Sequence, residues 1–234
     1  MAPVPYVEVW ASIAIGLWFV VVAYELLLFG YFALLKGLRI WTGAQRQKGN
    51  TIFYMFFGLF FLFLALGRGF FVVWDFYVQA DIAYQWIWRI GEALQWIALT
   101  FMFLAITIRV FENRFLKYGI PIVPAICAVI FLVLPESIIA AGLSDPVYFT
   151  LNIIIAPAFA IVIPLIYIYV AVQSVGVIRN SSLLIGGGFL IYYLGRVMHT
   201  IFVNGAINPA VLMLAPGIVI IGLMIMTAGA ILTK

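Results

Sequence analysis

A few ionisable side chains fall inside long apolar runs of this chain, and they are the residues able to do chemistry. They are Glu25, Arg68, Arg89, Glu92, Arg196 and His199. A charge at the centre of a membrane helix costs about 2.5–3.5 kcal/mol on insertion scales, so each is a candidate for function. Arg89 and Glu92 are spaced i, i+3, so they share a helix face on which they can pair, and Gln95 extends that face by another such step. Arg196 and His199 repeat the spacing. Trp86, Trp88 and Trp96 surround the first pair, and aromatic faces attract a guanidinium.

Helical rise sets their depths. Arg68 is expected about 25 Å and Arg196 about 20 Å above the basic ends of their helices. Arg89 and Glu92 sit in the first two turns of a helix running the other way. Glu25 is expected in the opposite half of the bilayer, about 24 Å below the start of the first helix. The reading is an outward-facing polar pocket, net cationic, lined by Arg68, Arg89, Glu92, Gln95, Arg196 and His199. It would suit a small anionic ligand or a lipid head group. Two plainer readings compete: arginines snorkelling to head groups, and a buried network that fixes helix packing.

Other chemistries lack their residues. One histidine does not make a bis-histidine haem site, and one His with one Cys and scattered carboxylates does not make a zinc site. The lone Cys127 excludes an intramolecular disulfide and a cysteine metal cluster. Ser137, Ser144, Ser174, Ser181 and Ser182 lie near span ends without a base beside them. The Gly186-Gly187-Gly188 run is mid-apolar and suits close helix contact or bending, not phosphate. No cofactor, no metal and no enzymatic activity are expected.

The elements that position these residues are membrane helices. Of 234 residues, 67% are hydrophobic, 17% aromatic and only 9% charged, and the mean hydropathy is +1.24. Soluble domains carry about 45–50% apolar and about 25% charged residues. The apolar runs are roughly Val9–Leu35, Thr51–Trp74, Trp86–Phe111, Gly119–Leu134, Val147–Val172, Leu183–Val203 and Ala210–Leu232. All but the fourth are long enough to cross about 30 Å; the fourth carries Pro121, Pro124 and Pro135 and would need Ile138–Leu143 to complete it. Residues 1–234 read as one all-α seven-helix domain with no soluble part. That leaves no room for a DNA-binding protein, a membrane-tethered enzyme or a kinase-fused receptor. The first helix carries Glu8 and no leading basic residue, so it is expected to be retained and not cleaved as a signal peptide.

Lys36, Arg39, Arg46, Lys48, Arg109, Arg114, Lys117, Arg179 and Lys234 all fall on one side of the seven spans, and Glu8, Asp75, Asp81, Glu136 and Asp145 on the other. The positive-inside rule then places the N-terminus outside and the C-terminus in the cytoplasm of a multi-pass cell-membrane protein. The net charge of +4 belongs to these loops and is no sign of nucleic acid. The Asn180-Ser181-Ser182 sequon falls in an expected cytoplasmic loop and is not read as a glycan site. Phe53, Phe56, Phe57, Phe60, Phe61 and Phe63 coat the second helix and read as lipid-facing and packing surface.

Gly58, Phe61, Leu62, Leu66, Gly67 and Arg68 recur 128 residues later as Gly186, Phe189, Leu190, Leu194, Gly195 and Arg196. Equivalence of the second and sixth helices would make a parallel 3+1+3 repeat with the fourth helix as linker. Chance matching of two apolar helices is the alternative.

Arg89-Ile90-Gly91-Glu92 resembles the Arg-x-x-Asp pair on the third helix of microbial rhodopsins, which share the helix count and orientation. Rhodopsins hold retinal on a lysine midway along helix seven; lysine stands here only at 36, 48, 117 and 234, so a photoactive pigment is not expected. Seven-helix sensor modules and the 3+1+3 sugar and vitamin transporters are similar in topology, without the latter's Pro-Gln pattern. Three functions follow as expectations: a receptor-like or sensory protein whose Lys36–Lys48 loop docks a cytoplasmic or membrane partner, a small-solute transporter, and a structural subunit of a membrane complex.

Overall fold

The computed structural model describes residues 5–38, 48–78, 82–204 and 213–232. These are almost wholly helical, without a strand among them, and seven helices are long and apolar enough to cross a membrane. They are α1 (Ser12–Leu38), α2 (Thr51–Tyr77), α3 (Gln85–Val110), α4 (Arg114–Val133), α5 (Pro146–Gln173), α6 (Gly176–His199) and α7 (Leu214–Leu232). The protein is an all-α seven-helix bundle with the architecture of a multi-pass membrane protein. Large apolar side chains such as Leu27, Phe115, Val133 and Val172 face outward, a surface that lipid covers and water would not tolerate.

Two helices start earlier than their apolar runs. The Asn113 side chain accepts a hydrogen bond from the Phe115 N–H at 2.8 Å, which caps α4 at Arg114. The fourth crossing is therefore complete by Val133. Leu134 is extended, as the residue before Pro135 must be, and Glu136–Ala141 form a separate short helix. At the fifth connection Gly176 adopts φ +64°, a turn conformation glycine takes without strain. α6 begins there, so Arg179, Asn180, Ser181 and Ser182 lie in its first turns and not in a loop.

The chain divides into two compact units, Val22–Ala141 and Met1–Val21 with Gly142–Lys234. In the first, α2 packs against the latter part of α1 and against α3, and α3 packs against α4. Phe53, Phe57, Phe60 and Phe61 are buried at 4% exposure or less. They are core, not lipid-facing surface, because α2 has a neighbour on two sides. Phe56 and Phe63 both lie against Phe101 of α3. At one end of this unit the Lys36 ammonium lies 5.7 and 5.8 Å from the ring centroids of Tyr31 and Tyr54. Arg109 lies 4.0 Å from that of Phe53, so the cations that end these helices rest on aromatic faces. Arg39 and Arg46, with most of the Lys36–Lys48 loop, lie outside the described residues.

In the second unit α6 packs against α5 and α7. The α6–α7 contact is backbone on backbone. A Cβ built on Gly222 would lie 2.4 Å from the Tyr192 nitrogen, and one on Gly188 would lie 2.5 Å from the Met226 nitrogen. Ser181 closes the end of this seam by donating to the Gly229 carbonyl at 2.7 Å. Small residues permit this approach, and dispersion between the two backbones replaces the hydrophobic effect that lipid cannot supply.

The two units use glycine alike. Gly58 faces Ala33 of α1 and Gly186 faces Tyr167 of α5, each on the preceding helix. Gly67 meets the Gly91 carbonyl (3.0 Å from a built Cβ) and Gln95 Cγ (2.9 Å) of α3. Gly195 meets the Ala215 carbonyl (3.0 Å) and Val219 Cγ2 (2.8 Å) of α7. Buried positions run 53, 57, 60, 64, 67, 71 along α2 and 181, 185, 188, 192, 195, 199 along α6, the alternating four-and-three spacing of a helix seam.

Candidate functional site

Within the Val22–Ala141 unit, consecutive helices each bring a polar side chain to one level. Arg68, 2% exposed, follows Gly67 on α2. Because Gly67 lacks a side chain, Gln95 of α3 lies directly over the α2 backbone there. Gln95 is also 2% exposed, and among the described residues neither its amide oxygen nor its amide nitrogen has a hydrogen-bond partner. A buried amide without partners is costly, on the order of a few kcal/mol.

Glu25 of α1 is fully buried. The depth expected from the sequence puts it in the other half of the bilayer from Arg68, whereas the contacts of α1 with α2 bring the two nearer one height. Phe32 of α1 stacks on Phe61 of α2, centroids 5.9 Å apart. Glu25 lies seven positions before Phe32 and Arg68 seven after Phe61. In antiparallel helices those offsets run the same way, and seven residues are about two turns, or about 10 Å. The backbone crossing of Gly58 on Ala33 gives offsets of eight residues to Glu25 and ten to Arg68, so the two groups lie within about one turn of one height. Each is engaged by a neighbour. Counting along α1 alone leaves Glu25 out of the site, because its depth depends on how α1 sits on α2; the signal that finds it is its heptad relation to Phe32.

Arg89 takes a different partner from the one its spacing offers. Its Nη2 lies 3.8 Å from Oε1 of Glu136, in the short helix after α4, with the Glu136 side chain 76% exposed. A pair this exposed is worth below about 1 kcal/mol. Glu92 is half-buried, one turn from both Trp88 and Trp96, which pack on Phe131 of α4 with centroids 5.7 and 6.0 Å away.

Arg196 and His199 belong to the other unit. Arg196 is half-buried and His199 is 7% exposed. The His199 ring sits edge-on to Trp18 of α1, centroids 4.8 Å apart and planes at 66°. Trp18 is a contact the sequence does not suggest, since its partner lies far along the chain.

The structure thus places Gln95 over Gly67, the neighbour of Arg68, and Arg89 beside the exposed Glu136. Of the buried residues on α1–α3, Glu25 is acidic and Arg68 basic, so their formal charges cancel. Arg68 and Gln95 are each only 2% exposed, so both are almost wholly enclosed by the described residues. Chemically, a guanidinium, a carboxylate and an amide at one level can bind and orient a small polar molecule. No family model, curated protein or solved structure matches the chain.

Proposed function

We propose that this chain is a non-enzymatic carrier of a small polar solute in the cell membrane, with its N-terminus outside. The observation that carries the reading is the common use of glycine in the two units. Gly58 and Gly186 meet the preceding helix, Gly67 and Gly195 meet the following one, and the partners of the latter two are a carbonyl and the side chain four residues on. The same 128-residue offset relates both glycine pairs and the two buried seams. This supports a parallel repeat of α1–α3 and α5–α7 joined by α4, an internal-repeat architecture on which many transporters are built. Buried polar groups inside apolar helices fit an occluded binding site. A receptor-like protein would share the binding step and add a partner at the Lys36–Lys48 loop.

Counterflow in proteoliposomes tests the reading. Vesicles loaded with unlabelled small zwitterions or anions are expected to take up the labelled compound well above protein-free vesicles. Arg68→Ala and Arg196→Ala, which remove the arginine of each unit, are expected to abolish that uptake. Folded wild-type protein that moves no compound of the panel faster than protein-free vesicles would overturn it.

A further inference from the structure

Among the described charged and amide side chains, Glu25, Arg68 and Gln95 are the most deeply buried, at 0%, 2% and 2% exposure. They come from three successive helices, and none of the three is used by the Arg89–Glu136 pair. A lone guanidinium or carboxylate in this setting is unstable, because lipid and apolar side chains offer neither charge any solvation. The Phe32–Phe61 and Ala33–Gly58 contacts bring the two charges within about one turn of one height on adjacent helices. Gln95 lies over Gly67, the residue beside Arg68, with an amide that has both its donor and its acceptor to spare.

We infer that Glu25 and Arg68 form an intramembrane ion pair between α1 and α2, and that this pair with Gln95 is the subsite for a solute carrying both an ammonium and a carboxylate. The solute class follows from charge balance. A zwitterion can exchange partners with the pair, its carboxylate going to Arg68 and its ammonium to Glu25, so that every charge stays compensated. A simple anion would displace Glu25 and leave that carboxylate buried alone. The Gln95 amide can serve either end of the solute. Glu25 is therefore a specificity-determining residue, and a site read as cationic from its arginines is neutral. The pair stands without the carrier reading; the solute class rests on it.

The pair is tested without any solute, by melting purified Glu25→Gln, Arg68→Gln and the double variant. Each single change strands a charge and is expected to lower the Tm by about 10 °C, while the double is expected to lose less than either. Losses that add in the double variant would overturn the pair. A single variant that fails to fold while the double folds supports it, and the reverse overturns it. An independent check in native membranes is the Glu25→Cys/Arg68→Cys variant on a Cys127→Ala background. A short bifunctional thiol reagent is expected to link the two positions within one chain, and no link would contradict the pair. The solute class is tested by melting the wild type with a panel of neutral amino acids and the matching acids that lack the amine. The amino acids are expected to raise the Tm and the acids not. Stabilisation by the acids alone would overturn the class while leaving the pair intact, and stabilisation by neither would overturn the subsite.

Discussion

Gly222→Ala is expected to lower the Tm of the purified protein by about 2–12 °C, from an overpacking cost of about 1–3 kcal/mol in a chain of this size. The reason is local. The added methyl group would sit 2.4 Å from the Tyr192 nitrogen, 2.7 Å from its Cα and 2.8 Å from the Gly188 carbonyl, all backbone of α6. A side chain could rotate away, but a helix backbone cannot, so α6 and α7 must separate. Separation loses the dispersion contacts along the whole seam and stretches the hydrogen bond from Ser181 to Gly229. Gly188→Ala should cost about as much, since it meets the same surface from the other side, and the two should not add because they force one movement. Gly217→Ala supplies the control. It lies in the same helix with nothing within 4 Å of the new methyl group, so thermal melts should show it near the wild type. Equal effects at 217 and 222 would contradict the packing described for α6 and α7.

Gly58→Ala is expected to cost a similar amount and to stop solute uptake as well. Its methyl group would lie 2.6 Å from the Ala33 Cβ and 2.7 Å from the Ala33 nitrogen, which pushes α1 off α2. The Phe32–Phe61 stack sits beside this crossing, and the height match of Glu25 with Arg68 depends on it. Gly69→Ala, where nothing lies within 4 Å, is the matched control on α2. Melting and counterflow on both variants check the point. A Gly58→Ala protein that melts and transports like the wild type would mean that α1 and α2 do not meet there.

Much of this architecture is legible in the amino-acid sequence. Seven apolar runs become seven helices, because backbone in lipid has few other ways to satisfy its hydrogen bonds. The Gly186-Gly187-Gly188 run suits close helix contact, and Gly188 makes one. The departures have physical causes. The fourth helix looks too short by its apolar run because apolarity marks where a helix meets lipid, whereas its start is set by the Asn113 side chain, a polar signal outside that run. The sixth helix looks to begin at Leu183 because Arg179, Asn180 and Ser181 are residue types common in loops. Ser181 instead spends its hydroxyl on the facing helix, which lets a polar residue lie buried.

The site is legible in kind but not in arrangement. Intramembrane charges single out Arg68 and Glu92 as unusual, yet helical spacing favours Arg89 with Glu92, and Arg89 reaches Glu136 in the connector instead. Local spacing describes one helix, and partners come from another. Glu25 shows the same limit. Its depth counted from the start of α1 ignores the register of α1 on α2.

The central claim is that the polar residues of α1–α3 form a closed internal site and not an open cationic pocket. The most direct measurement is the thiol reactivity of Gln95→Cys on a Cys127→Ala background, with a membrane-impermeant reagent added to each side in turn. Ser137→Cys, on the exposed short helix after α4, gives the rate of an open position. The expected result is that the residue-95 thiol reacts far more slowly than that at residue 137 from either side. Labelling at residue 95 as fast as at residue 137 would contradict the closed site.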